Sequence, residues 1–100
     1  MKRIRFIPPA REEFLAKVQY YGELSPPLAE RFVDAVESAA SRAVRFPHVG
    51  APFDDGSRRI PLRGFPFSLV YLSEPPGIVI IAVAHYARRP GYWQGRYRPC

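Results

Sequence analysis

The chain opens on an alternation of polar and apolar residues. Over Lys2–Ile7, Ile4 and Phe6 fall on one face and two arginines fall on the other. A period of two residues predicts a short strand with one face toward solvent. Pro8 and Pro9 end this strand, and Pro9 suits the first turn of a helix because the N–H that proline lacks has no partner there.

Two stretches of helical periodicity follow this strand. In the first stretch the apolar positions are Ala10, Phe14, Leu15, Val18 and Tyr21. This spacing predicts an amphipathic helix, for which Gly22 is the expected C-terminal stop.

The second helix is predicted to begin after Ser25, a residue type that favours the N-cap position. Pro26 and Pro27 then occupy its first turn, and Pro47 and Gly50 follow its end. Its apolar stripe consists of Leu28, Phe32, Ala35, Val36, Ala39, Ala43 and Val44. Two such helices joined by a short Gly/Pro segment predict an antiparallel helical hairpin.

The second half of the chain contains three strand patterns separated by turn residues. The predicted strands are Arg58–Leu62, Phe65–Leu72 and Ile78–His85. Pro61 cannot donate to a neighbouring strand, so the first of the three needs an unpaired edge or a bulge there. Ile78–His85 is apolar on both faces, which favours a central position in the sheet.

The predicted order is therefore β-α-α-β-β-β with a C-terminal tail. This order favours an α+β fold in which the helical hairpin packs on a small antiparallel sheet. One hundred residues fit a single domain.

Positive charge is concentrated in the second half of the chain. Residues 1–57 hold eight basic and eight acidic residues, whereas residues 58–100 hold seven arginines and Glu74, which accounts for the net charge of +6. Such asymmetry favours an anionic partner, whether a nucleic acid, an acidic protein or a membrane surface. A solvated basic surface is an equally good interpretation of charge alone.

Composition excludes several classes of protein. Cys100 is the single cysteine, and no group of His, Cys or carboxylate residues has metal-ligand spacing, so neither a disulfide scaffold nor a metal site or other cofactor is expected. The longest apolar run, Ile78–Ala84, is too short to cross a bilayer. We expect a cytoplasmic protein without a membrane segment.

One cluster of residues could carry chemistry, and it follows the last strand closely. Its members are His85, Tyr86, Arg88, Arg89, Tyr92, Trp93 and Arg96. Imidazole and phenol groups can move protons and arginine can stabilise phosphate charge, which would suit a metal-free ribonuclease. The same residues could stack on bases or cover the sheet, and packing is favoured for Tyr92 and Trp93. A structural role is favoured for His85.

The order of these motifs resembles the RelE/ParE superfamily, the toxins of type II toxin–antitoxin modules. The resemblance rests on residues 62–71 (LRGFPFSLVY), on Ile78–His85 and on residues 88–93 (RRPGYW), and it covers nearly the whole chain. It implies the fold predicted above.

The resemblance also implies a cognate antitoxin that neutralises the toxin with an apolar, acidic segment. Candidate contacts are Leu15, Val18, Phe32 and Val36 on the helices and Arg58 and Arg59 on the sheet, although the core is the favoured place for all four apolar side chains.

The superfamily divides by target, and the residues favour one branch. RelE-like members cut mRNA in the ribosomal A site; Arg59 and Tyr92 match their pattern, but Pro61, Ser68 and Tyr86 stand where basic residues are expected. ParE-like members instead poison DNA gyrase, and the RRPGYW segment is more similar to theirs.

We therefore expect a gyrase-directed toxin that contacts its target through Arg88, Arg89, Tyr92, Trp93 and Arg96. The alternative is a ribosome-dependent endoribonuclease that uses Arg59, Arg63, His85, Arg88 and Tyr92.

Overall fold

The fold consists of two helices and five strands, described by a computed structural model over residues 3–98. The elements are β1 (Arg3–Phe6), α1 (Pro8–Leu24), α2 (Pro26–Arg45), β2 (Ala51–Pro52), β3 (Arg58–Pro61), β4 (Phe67–Glu74) and β5 (Gly77–His85). The predicted α+β class, with a helical hairpin against one sheet, is confirmed. Lys2, Pro99 and Cys100 lie outside the described residues.

The sheet differs from the predicted one in strand direction and strand number. Its order is β1-β5-β4-β3-β2, and β1 pairs with β5 in parallel while the other pairs are antiparallel. The expectation of a wholly antiparallel sheet is therefore wrong for β1. The order also makes β4 the middle strand, and β5 lies between β1 and β4. Strand β2 was not predicted, because two residues are too few to show a period.

The link between the helices is shorter than the sequence suggests. Helix α1 continues through Gly22 to Leu24, so Gly22 is not the stop, and Ser25 alone connects the two helices. Ser25 is the N-cap residue of α2, but its hydroxyl makes no capping hydrogen bond. The physical reason is that Pro27 has no N–H, while the Leu28 N–H already donates to the Ser25 carbonyl at 3.0 Å.

An aromatic cluster joins the helices to the sheet. The Phe32 side chain is fully buried, and its ring lies 5.3 Å from that of Tyr21, 5.2 Å from that of Phe65 and 5.6 Å from that of Phe67. Leu15, in contrast, is 49% exposed, so the predicted apolar stripe of the first helix is partly on the surface.

A turn separates two of the predicted strands, and it contains Gly64. Gly64 has a φ of +84°, a conformation that glycine adopts readily, and it precedes β4. Strand β2 pairs only with Arg58 and Arg59, so Pro61 has no ladder partner on that side, as its missing N–H requires. Within residues 3–98, neither helix is long and apolar enough to cross a bilayer.

Two glycine-to-alanine substitutions should change stability in opposite directions. A Cβ at Gly77 would lie 1.8 Å from the carbonyl oxygen of Arg3, so Gly77→Ala should separate β1 from β5 and cost about 1–3 kcal/mol or more. A Cβ at Gly22 would meet only the Ala29 Cβ, at 3.7 Å, so Gly22→Ala should add about 0.5–1 kcal/mol. Urea unfolding followed by circular dichroism measures both. Equal midpoints for Gly77→Ala and the unmodified chain would contradict the β1–β5 pairing.

Candidate functional site

A small cleft lies where β3, β4 and β5 meet the C-terminal segment, which we define as residues 86–98. The cleft has a volume of about 110 Å³ and is lined by Arg59, Ser68, Ala84, His85, Tyr86, Arg88, Pro90, Tyr92 and Trp93. Four of the five candidate nuclease residues therefore come together. The fifth, Arg63, lies elsewhere, in a groove beside α2.

The edge of β5 beside this cleft is covered by side chains instead of a strand. Strand β1 ends at Phe6, and the Ile7 N–H just beyond it donates to the Ile80 carbonyl at 3.1 Å. Farther along the same edge, the Val83 N–H donates to Oε1 of Glu13 on α1 at 3.0 Å. A carboxylate on α1 thus accepts from a β5 N–H that would otherwise need a backbone carbonyl of a neighbouring strand as its partner.

The second oxygen of the same carboxylate holds the C-terminal segment. Oε2 of Glu13 accepts from Nη2 of Arg96 at 2.9 Å and from the Tyr92 hydroxyl at 2.8 Å. Nη1 of Arg96 in turn donates to the Ile81 carbonyl on the open edge, at 3.1 Å. The Glu13 and Arg96 side chains are only 18% and 19% exposed, so this ion pair is weakly screened by solvent. Sequence reasoning did not identify Glu13 because its partners are about 70–83 residues away.

Tyr92 is a hydrogen-bond donor in this arrangement. Burial, together with the hydrogen bond to Glu13 and the charge of that carboxylate, raises the pKa of Tyr92 to about 12. The guanidinium carbon of Arg88 lies 3.9 Å from the Tyr92 ring centroid and that of Arg96 lies 4.9 Å from it. At neutral pH the phenol is protonated and its proton is directed to Glu13, so Tyr92 does not supply a phenolate base.

Trp93 belongs to the core and not to the surface. Its side chain is 2% exposed, and its ring lies 5.1 Å from that of Phe53. Nε1 of Trp93 donates to Oγ of the fully buried Ser57 at 3.3 Å, and the Ser57 N–H donates to Asp55 at 2.9 Å. Ser57 was not singled out from the sequence, although Asp55 two residues earlier is a typical Asx-turn residue that could have indicated it.

His85 is held by neighbouring groups, whereas the two arginines that follow it are exposed. The His85 ring packs edge-on against Phe67 at 4.9 Å, and its Nδ1 accepts from the Ala87 N–H at 2.9 Å. These two contacts agree with the structural role favoured for His85. Arg88 and Arg89 are exposed on the loop after β5.

The two arginines of β3 differ in their partners. Nη1 of Arg58 donates to the carbonyls of His48 and Gly50, at 3.1 and 2.8 Å, and so holds the loop after α2. Arg59 lies over the Phe53 ring at 5.6 Å, and its buried Nε makes no hydrogen bond within the described part of the chain.

The apolar residues predicted to meet an antitoxin divide between core and surface. Phe32 and Val36 are 0% and 3% exposed, so the core placement favoured for them is confirmed. Val18 is half-buried beside a shallow groove, and Leu15 is exposed.

A broader groove lies between α2 and the β3–β4 turn, with a volume of about 800 Å³. Its apolar floor includes Leu28, Leu62 and Phe65, and it carries Arg31, Arg42 and Arg63 beside Asp34. Basic residues therefore outnumber acidic ones around an apolar floor.

Among residues 3–98, no three His, Cys, Asp or Glu side chains are grouped so that they could hold a metal ion.

Comparison with known proteins gives a family and a fold. Residues 4–90 match the family model described as the ParE toxin of the type II toxin–antitoxin system parDE. A solved structure described as the chromosomal ParDE TA system from P. aeruginosa is similar at a TM-score of 0.69 and 21% identity, over 85% of this chain and 96% of that chain. No curated protein shows a significant match to the sequence.

Replacing Glu13 should release the C-terminal segment. Glu13→Gln removes the charge that neutralises Arg96, and leaving that guanidinium unpaired should cost about 1–3 kcal/mol, a range that allows for its partial exposure. Urea unfolding measures the loss, and the emission of Trp93, the single tryptophan, reports on the segment. Glu12→Gln is the matched control because Glu12 is exposed on the same helix turn. Identical midpoints for the two variants would contradict the bridging role of Glu13.

The raised pKa of Tyr92 predicts an alkaline limit to stability. A pKa that is higher in the folded than in the unfolded chain stabilises the fold below about pH 10, and this contribution disappears as the pH rises through about 12. The phenolate absorbance of the unmodified chain minus that of Tyr92→Phe should therefore rise with a midpoint near pH 12. A difference curve centred near pH 10 would contradict the contact with Glu13.

Proposed function

Because the chain belongs to the ParE toxin family of type II toxin–antitoxin systems, we propose that it arrests bacterial growth by poisoning DNA gyrase and that a cognate antitoxin neutralises it in the cytoplasm. The match over residues 4–90 carries this proposal, since it spans the helical hairpin, the sheet and the first part of the loop after β5.

The side chains in the cleft support a toxin without nuclease activity. Ser68 and Tyr86 line the cleft at positions where RelE-like enzymes are expected to carry arginine. Tyr92, which matches the nuclease pattern by sequence, donates a hydrogen bond to Glu13 and has a pKa of about 12. A general acid or base works best when its pKa is near the operating pH, so Tyr92 is poorly suited to proton transfer.

The loop after β5 is the surface that we propose for gyrase contact. Arg88 and Arg89 are exposed there, and Tyr86, 59% exposed, lies beside them. Arginine and tyrosine are well suited to binding sites, because they combine apolar area with directed hydrogen bonds. Two residues hold this loop in place. Trp93 packs into the core, and Arg96 forms an ion pair with Glu13.

The groove beside α2 is the surface that we propose for the antitoxin. An apolar segment with acidic side chains would place its apolar face on the half-buried Leu28 and Phe65 and its carboxylates near Arg31, Arg42 and Arg63. This groove replaces Phe32 and Val36 as the proposed contact, since those side chains are buried. Leu15 and Val18 remain proposed contacts on the neighbouring helix surface.

Purified gyrase, relaxed plasmid and ATP test the proposal directly. The chain should inhibit supercoiling and cause cleaved DNA to accumulate. The double variant Arg88→Ala/Arg89→Ala should need about tenfold more protein for half inhibition, which corresponds to about 1.4 kcal/mol. Arg11→Ala is the control, because Arg11 is exposed on α1 and makes no ion pair within the described residues.

Unchanged gyrase activity at large molar excess would contradict gyrase as the target, and mRNA cut in a translation reaction would favour the ribosome instead. Adding the antitoxin should restore supercoiling. Arg63→Glu should weaken this rescue without changing inhibition, since it alters the groove and leaves the loop intact.

A further inference from the structure

The loop after α2, residues 46–50, is held in place by two side chains of the sheet. The hydroxyl of the fully buried Tyr71 on β4 donates to the Pro47 carbonyl at 2.8 Å and accepts from the Gly50 N–H at 3.1 Å. Nη1 of Arg58 on β3 donates to the Gly50 carbonyl at 2.8 Å. A Cβ at Gly50 would lie 2.9 Å from the Tyr71 hydroxyl, so the loop is also packed closely against the sheet. These contacts fix the backbone of the loop.

This loop nevertheless exposes two large apolar side chains. Phe46 is 57% exposed and Val49 is 43% exposed. The Val49 N–H donates to the Phe46 carbonyl at 2.9 Å, and such a turn keeps the two Cα atoms within about 7 Å of each other. Single exposed apolar residues are common on protein surfaces. A pair on a fixed backbone is different, because a partner that covers it has little further chain entropy to remove. The pair therefore suits a binding surface.

The pair also continues the groove beside α2. Leu28, Ala35 and Arg42 line this groove at intervals of seven residues, which places them on one side of the helix. Phe46 follows Arg42 by four residues, and its N–H still donates to the Arg42 carbonyl at 2.8 Å, as in a helix. The helical rise from Leu28 to Phe46 is about 27 Å. A partner that contacts both residues therefore needs about 18 helical residues or about eight extended ones.

Charge decides which kind of partner fits the pair. Arg42 and Arg45 in the last turn of α2 are exposed, and neither forms an ion pair within residues 3–98. A second copy of the chain that docked through the same loop would bring the two arginines of each copy together, which is unfavourable. A segment with both apolar and acidic side chains would instead cover Phe46 and Val49 and neutralise the two arginines.

We infer that Phe46 and Val49 form a second contact site for the antitoxin, at the end of the groove beside α2. The inference rests on the proposed function, which places an apolar, acidic antitoxin segment in that groove. It adds that the segment continues past Arg42 to the loop after α2. Neither Phe46 nor Val49 lines the cleft at the end of the sheet, so replacing them leaves the surface proposed for gyrase contact unchanged.

Biolayer interferometry with the full-length cognate antitoxin tests the inference on the full chain. Phe46→Ser and Val49→Ser should each raise the Kd of the complex about tenfold, because each removes an apolar contact from a fixed surface. Inhibition of gyrase supercoiling by either variant should stay within about twofold of that by the unmodified chain. Tyr20→Ser is the matched control, since Tyr20 is 51% exposed on α1 and lies outside the groove and the loop. It should change the Kd less than about twofold.

Separate outcomes distinguish this inference from the proposed function. Weaker binding by Arg63→Glu, with unchanged binding by Phe46→Ser and Val49→Ser, would overturn the inference alone. An equal loss in Tyr20→Ser would mean that any exposed apolar side chain contributes, and would overturn it as well. Loss of gyrase inhibition without loss of antitoxin affinity would assign the pair to the target instead. Failure of the unmodified chain to bind the antitoxin would contradict the proposed function itself, and the inference with it.

Discussion

The carboxylate of Glu13 is the point at which three parts of the chain meet. One oxygen accepts from the backbone of β5, and the other accepts from Tyr92 and Arg96 in the C-terminal segment. Strand β1 is too short to cover all of β5, and an open backbone edge is exposed to water or to unwanted pairing. The fold covers this edge with an ion pair, so the segment that carries the exposed arginines depends on a residue in the first helix.

Five arginines with assigned contacts divide into two groups by their partners. Arg5, Arg58 and Arg96 are bound to carboxylates or backbone carbonyls. They link β1 to β4, β3 to the loop after α2, and the C-terminal segment to α1. Arg59 and Arg88 are held by aromatic rings instead, which fix their orientation and leave their charge unneutralised. Net charge alone did not separate the two groups, since a guanidinium looks the same in sequence whether or not it has a partner.

The local features of the fold were predictable because they depend on neighbours in sequence. Both helices, the turn at Gly64 and the strand ending at His85 follow from periodicity and from residue conformations. The parallel pairing of β1 and the two-residue strand β2 were not predicted, because register between distant segments leaves no periodic signal. For the same reason the cleft residues could be proposed as a group by sequence proximity and resemblance, whereas Glu13 and Ser57, which support them, could not.

The groove beside α2 and the cleft at the end of the sheet are separate surfaces that offer different kinds of side chain to a partner. The groove beside α2 has an apolar floor with three arginines around it, which fits an acidic protein segment. The cleft at the end of the sheet is far smaller and rich in hydrogen-bond donors. An antitoxin that occupies the groove would leave the cleft residues uncovered, unless its chain continues past the β3–β4 turn. Neutralisation from the groove alone would then act by blocking the approach of a large target, and such a mechanism needs no direct contact with Arg88 or Arg89.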